Sequence, residues 1–110
     1  MPELSLVMPC YNEEGIVAYT IGRLLEAFER SGNRLEIIAV DNGSSDRTGE
    51  ILRELARNHP EVVPFRIPEN QGYGFGVLSG VPLARADWIG IIPADGQVDA
   101  EDVLHLFQAA

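Results

Sequence analysis

Four short apolar segments recur along the chain, and each runs into a polar loop and then a stretch of helical periodicity. The segments are Leu4–Met8, Leu35–Val40, Val62–Ile67 and Trp88–Ile92. No two of them are joined by a two- to five-residue turn of the kind that closes a hairpin, so antiparallel neighbours are disfavoured. A strand, a crossover helix and another strand produce a parallel sheet. The strands carry apolar residues at both odd and even positions, as strands covered by helices on both faces must. The expected fold is α/β, with a four-stranded parallel sheet in the order 3-2-1-4 and helices on both faces. Pro64 in the third segment points to an edge position.

The intervening helices follow from spacing. Val17, Ile21, Leu24, Leu25 and Phe28 lie on one helical face, with Asn12 as the expected cap, Glu13 and Glu14 in the first turn, and Gly32 as the stop. Asp46 is the expected cap of a helix carrying Ile51, Leu52 and Leu55, which ends near Asn58 ahead of Pro60. A third helix runs through Val77, Leu78, Val81 and Leu83, with Pro82 interrupting it. The last begins at Asp99 and places Val103, Leu106 and Phe107 on one face, with no partner evident for it. With 110 residues the chain holds at most one domain.

In an open parallel sheet, ligands bind beyond the carboxyl ends of the strands, near the point where strand order reverses. Every unusual polar cluster of this chain falls at such an end: PCYNEE, DNGSSD, PENQGYGFG and PADGQ. One acidic turn is ordinary turn chemistry. Three acidic loops on one rim, carrying Glu13, Asp41 and Asp95, indicate a site.

Several sites are excluded by what the loops lack. Gly72, Gly74 and Val77 miss the third glycine of a dinucleotide fingerprint, and they follow the third strand instead of the first. The eight basic residues are all arginine, so there is no phosphate-loop or receiver-domain lysine. No Cys/His spacing suits zinc. A net charge of −9 argues against nucleic acid as a partner. Cys10 reads as a small buried filler, His59 and His105 as structural or solvated, and Arg47 as a surface charge. A lone cysteine fits a reducing compartment, no apolar run approaches a membrane span, and the first residues do not form a signal peptide, so a cytoplasmic location is expected.

The segments VMPCYNEE, VDNGSSDRT, NQGYGFGVLSG and PADGQ, in this order and spacing, resemble the amino-terminal half of a family 2 glycosyltransferase of the GT-A fold. The ADGQ form is closest to the dolichyl- and polyprenyl-phosphate sugar synthases. The resemblance implies that residues 1–110 are the nucleotide-sugar-binding part of the domain, with an acceptor-binding half and its catalytic base absent. It implies a donor of the GDP-mannose or UDP-sugar type, with Pro9, Tyr11 and Glu13 lining the base and ribose pocket. Asp41 would accept an N–H from the base, and Asp95, with Gln97 adding a neutral oxygen, would hold Mg²⁺ or Mn²⁺ against the diphosphate. Pro93 stands where the family has the first acid of its Asp-x-Asp motif, so one charged ligand is missing. In a complete protein the sugar would pass to a lipid phosphate or a glycan, with a peripheral place at the cytosolic membrane face. An unpaired fourth strand would also offer an edge for self-association. Two rival readings remain at this point: a truncated or pseudoenzyme nucleotide-binding module, and a nucleotidyltransferase-like domain. The latter would need a basic loop after the first strand, where PCYNEE is acidic.

Overall fold

A computed structural model describes all 110 residues. The elements follow in the order β1 (Leu4–Cys10), α1 (Val17–Ser31), β2 (Leu35–Asn42), α2 (Thr48–Asn58), β3 (Val62–Ile67), α3 (Tyr73–Gly80), a 3₁₀ turn (Val81–Leu83), β4 (Trp88–Ile91) and α4 (Ala100–Ala109). The sheet is parallel throughout, in the order β3-β2-β1-β4, as the strand–loop–helix pattern predicts. No helix is long and apolar enough to cross a membrane.

Residues of β1 and β2 alternate between two apolar layers. Leu4, Leu6, Met8, Leu35, Ile37 and Ala39 face α1, α2 and α4, where Ile21, Leu24, Phe28, Leu52 and Leu104 complete the larger core. Val7, Ile38 and Val40 face the other way, towards α3. That side is thin because α3 lies almost on the sheet. A Cβ at Gly80 would come within 2.7 Å of the Val7 side chain and 2.9 Å of Val40, so only glycine permits this approach.

Three local expectations are corrected. Asn12 does not cap α1, which begins at Val17 with no side-chain cap and no acid in its first turn. Instead Asn12 takes a left-handed conformation at φ 50° and turns its side chain towards the neighbouring loop. The third helix does not run through Pro82 as α-helix, because a proline without an N–H breaks the ladder, and the chain tightens into the 3₁₀ turn. Finally, α4 has a partner. Phe107 packs on Phe28 of α1 with ring centroids 6.2 Å apart, which buries Ala100 and Leu104 and leaves Leu106 exposed. Asp99 does cap this helix, accepting the Glu101 N–H at 2.7 Å.

Both edges match the sequence reading in position. β3, with Pro64, is one edge, and β4 is the other, with Trp88, Ile89 and Ile91 exposed. Pro9 lies inside the central strand β1. The Val7 carbonyl accepts from Ile92 N–H, so odd residues of β1 turn their backbone towards β4. β4 ends opposite Val7, so Pro9 lacks its donor where there is no strand to receive it.

Candidate functional site

The β1–α1, β2–α2, β3–α3 and β4–α4 loops meet over the carboxyl end of the sheet. Between them opens a cavity of about 330 Å³, lined by Pro9, Cys10, Tyr11, Glu13, Asn42, Asn70, Tyr73, Pro93, Ala94 and Asp95. It lies where β1 and β4 part, the point at which strand order reverses. The cavity thus collects Pro9, Tyr11, Glu13 and Asp95 from two separate loops. Tyr11 and Tyr73 stand half-exposed at its mouth, offering ring faces to a planar ligand.

Asp41 does not reach this cavity. β2 continues to Asn42, two residues past the stretch the sequence marks as strand, so residues 41 and 42 point to opposite faces of the sheet. Asp41 turns towards α2, where it is 2% exposed. It accepts from Arg66 Nη1 at 2.7 Å and from Ser44 N–H at 3.1 Å. A separate hollow of about 170 Å³ surrounds it, lined also by Gly49, Arg53, Phe65 and Arg66. Asn42 is the residue that faces the cavity. Its Nδ2 donates to Gly72 O at 2.9 Å, and Gly76 of α3 packs against it and Pro9.

Gln97 also lies outside the cavity lining. Its backbone N–H donates to Asp95 Oδ1 at 3.1 Å, and its side chain is exposed. No three His, Cys, Asp or Glu side chains cluster closely enough to hold a metal ion. The donor set instead suits a hard divalent ion held by one carboxylate and completed by phosphate oxygens and water. Asp95 fits that description.

The electrostatics mark the same place. Partial burial, then the charges of Asp95 and Asp46, push the Glu13 carboxyl above its ordinary value. Three acids thus share one region with no cation among them, an arrangement that favours an incoming positive charge. Cys10 is buried, donates its thiol to Met8 O at 3.3 Å, and is held protonated by burial and by the charges of Asp41 and Glu13. It is not a nucleophile.

The sequence model of glycosyl transferase family 2 matches residues 5–110. The chain belongs to glycosyl transferase family 2. Among its relatives are the undecaprenyl-phosphate 4-deoxy-4-formamido-L-arabinose transferase of Edwardsiella ictaluri, 35% identical over 108 residues, and the uncharacterized glycosyltransferase YkcC of Bacillus subtilis, 33% identical over 106. These alignments take in 97% and 96% of this chain and 33% of each relative. The chain thus spans about a third of the length of the curated relatives it matches. Among solved structures, the mannosyltransferase PcManGT from Pyrobaculum calidifontis, in complex with GDP-Man and Mn²⁺, superposes with a TM-score of 0.76 at 25% identity, over 94% of this chain and 30% of that one. Staphylococcus aureus TarS 1–349, in complex with UDP-GlcNAc, superposes with a TM-score of 0.78 at 22% identity, over 99% and 30%. These neighbours bear out the GT-A fold of this family 2 chain.

Proposed function

We propose that this chain is the donor-binding part of a glycosyltransferase and that its cavity takes a nucleoside diphosphate sugar with Mg²⁺ or Mn²⁺. The observation that carries this reading is the convergence of Tyr11, Glu13, Asn42, Tyr73 and Asp95 on one cavity at the switch point, in a family 2 chain. The family neighbour solved with GDP-Man and Mn²⁺ supports the same ligand class.

Each residue has a role that its position allows. Pro9 and Tyr11 provide an apolar wall and a ring face for the base, and Glu13 accepts from ribose hydroxyls. The base-edge contact, expected of Asp41, has two buried candidates: Asn42 lines the cavity with its amide held by Gly72 O and Gln71 N–H, and Asp41 lines the neighbouring hollow with Arg66 and Ser44 N–H on its carboxylate. Asp95 holds the cation that neutralises the diphosphate. Without it, a carboxylate about 4 Å from a phosphate charge costs roughly 4 kcal/mol at an effective dielectric near 20. With Pro93 beside it in place of a second acid, Asp95 is the only charged ligand this loop offers, so metal enhancement of binding is modest.

In a protein of the relatives' length, the sugar would pass to a polyprenyl phosphate, the class that the name of the Edwardsiella ictaluri relative gives for that protein, and a lipid acceptor would put the reaction at a membrane surface. The catalytic base would then come from outside these 110 residues. Calorimetry with GDP and with UDP, with and without Mn²⁺, tests the reading. The expected result is weak binding that Mn²⁺ tightens, and whichever of Asp41→Ala and Asn42→Ala weakens it in folded protein identifies the residue that meets the base. No binding of either nucleotide at millimolar concentration would discard it.

A further inference from the structure

Within the loop that carries Tyr11 and Glu13 into the cavity, the internal support is the Glu13 carbonyl, which accepts from Ile16 N–H at 3.1 Å and from Val17 N–H at 2.9 Å. No side chain caps the helix that follows it. Its three consecutive N–H groups instead donate to side chains of the β2–α2 loop: Asn12 to Ser44 Oγ at 3.0 Å, Glu13 to Thr48 Oγ1 at 2.9 Å, and Glu14 to Asp46 Oδ2 at 3.2 Å. Three bonds return, from Ser45 N–H and Ser45 Oγ to Asn12 Oδ1 at 2.9 and 3.4 Å and from Arg47 N–H to Glu14 Oε2 at 3.2 Å. Two loops separated by more than thirty residues of sequence are held as one unit.

Thr48 is the centre of this arrangement, and its hydrogen bonds have only one consistent direction. A hydroxyl has a single proton. The Thr48 proton goes to Asp46 Oδ1, which is an ionised acceptor 2.5 Å from Oγ1. The lone pairs of Oγ1 are then left to receive Glu13 N–H. Thr48 is fully buried, so water cannot replace it. Asp46 is fixed in turn by Thr48 N–H at 2.9 Å. Neither Asp46 nor Thr48 lines the cavity, whereas Glu13 does.

We propose that Thr48, oriented by Asp46, is a positioning residue that fixes Glu13 at the mouth of the cavity for nucleotide binding. This rests on the function proposed above. Glu13 needs such a clamp because its carboxylate is in acidic company that would otherwise drive it outward. The Asp46-x-Thr48 spacing supplies both the acceptor for Glu13 N–H and the charge that orients that acceptor.

Two variants test the proposal in the 110-residue chain. Thr48→Val keeps the shape and removes the hydroxyl, while Thr48→Ser keeps the hydroxyl. Amide exchange of Glu13, followed by NMR without ligand, should quicken at least tenfold in Thr48→Val and stay near wild type in Thr48→Ser. The dissociation constant for GDP or UDP with Mn²⁺ should rise about fivefold in Thr48→Val and recover in Thr48→Ser, the size expected for one lost hydrogen bond. Undisturbed Glu13 exchange in Thr48→Val overturns the clamp. Exchange that quickens while affinity holds overturns its role in binding, and a Thr48→Ser variant as weak as Thr48→Val shows that the hydroxyl is not what matters. If the wild type binds neither nucleotide, the function proposed above fails, and the exchange data still decide whether the clamp exists.

Discussion

The two ends of the sheet treat Glu36 and Glu13 in opposite ways. At the amino end, Glu36 is 1% exposed, and both of its oxygens are engaged by the chain itself. Ser5 Oγ donates to Oε2 at 2.7 Å, Arg85 N–H to the same oxygen at 3.0 Å, and Arg85 Nε to Oε1 at 2.7 Å. Ala86 N–H completes the set by donating to Ser5 Oγ at 3.1 Å. Burial alone would raise the Glu36 carboxyl, but the bonds from Ser5 and Arg85 and the charge of Arg85 outweigh it and hold the group below its ordinary value. At the carboxyl end Glu13 is pushed the other way. One end uses its acid to pin the entry into β4 to the sheet; at the other, Asp41 is paired with Arg66, but Glu13 and Asp95 at the cavity have no cationic partner. A site is recognisable as the place where the fold has not satisfied its own charges.

The open end is open only in its side chains, and its backbone is packed tightly. Gly43 sits at φ +72° in the turn after β2, directly against the β3–α3 loop, and a Cβ there would lie 2.2 Å from Asn70 N. The obstruction is backbone, so it cannot rotate aside. Gly43→Ala therefore combines a left-handed backbone with a steric clash and is expected to cost at least about 3 kcal/mol, the largest effect among these predictions. Urea unfolding followed by circular dichroism measures it. A loss below about 1 kcal/mol would mean that the loops yield, and that the carboxyl end is soft as well as charged.

The closed end predicts a smaller loss and a definite sign with pH. Glu36→Ala strips the acceptor from Ser5 and from Arg85 N–H, and should cost about 2–3 kcal/mol, less than a fully buried pair because Arg85 itself is half-exposed. Because the folded carboxyl lies below its ordinary value, near 4.3, ionised Glu36 stabilises the fold above that pH. The contribution is lost as pH falls through the folded value. Glu36→Gln should therefore show a shallower loss of stability than wild type on acidification below about pH 4.5. Identical acid limbs for the two proteins would show that Glu36 is not specially held.

These contrasts also explain what the sequence could reveal. The sheet order was legible because each apolar segment, polar loop and helical period repeated without a hairpin signal. The cavity walls were legible as strand ends, since Pro9 lies near the end of β1 and Tyr11, Glu13 and Asp95 each follow a strand. What was not legible depended on where a strand stops. Two extra paired residues at the end of β2 turned Asp41 away and brought Asn42 in, and no local propensity distinguishes DN as strand from DN as turn. The Asn12 expectation failed for a similar reason. A residue able to cap its own helix was taken up by a loop more than thirty positions away, and such a partner is not visible in local spacing. The Glu36 network was missed because Arg85 is 49 residues distant in sequence.

The smallest expected effect tests the comparison most directly. If the carboxyl end carries unsatisfied charge for the sake of a ligand, removing one charge should relieve the fold and impair binding together. Asp95→Asn leaves the turn able to accept the Gln97 N–H through the amide oxygen, so the local backbone is kept. Glu13 then loses the stronger of its two repelling neighbours, and its carboxyl should move down towards the ordinary value in a ¹³C-detected titration. Stability at neutral pH should rise, by no more than about 0.5 kcal/mol because Asp95 is exposed and its field is screened. The sign of that change is informative, since most substitutions destabilise and gains concentrate where function has been paid for in stability. Over the same samples, the tightening of GDP or UDP binding by Mn²⁺ should disappear while binding without metal is kept or slightly improved. An unmoved Glu13 titration would separate the two acids electrostatically. Full Mn²⁺ enhancement in Asp95→Asn would place the cation elsewhere, and the carboxyl end would then hold its open charges for some other purpose than the diphosphate.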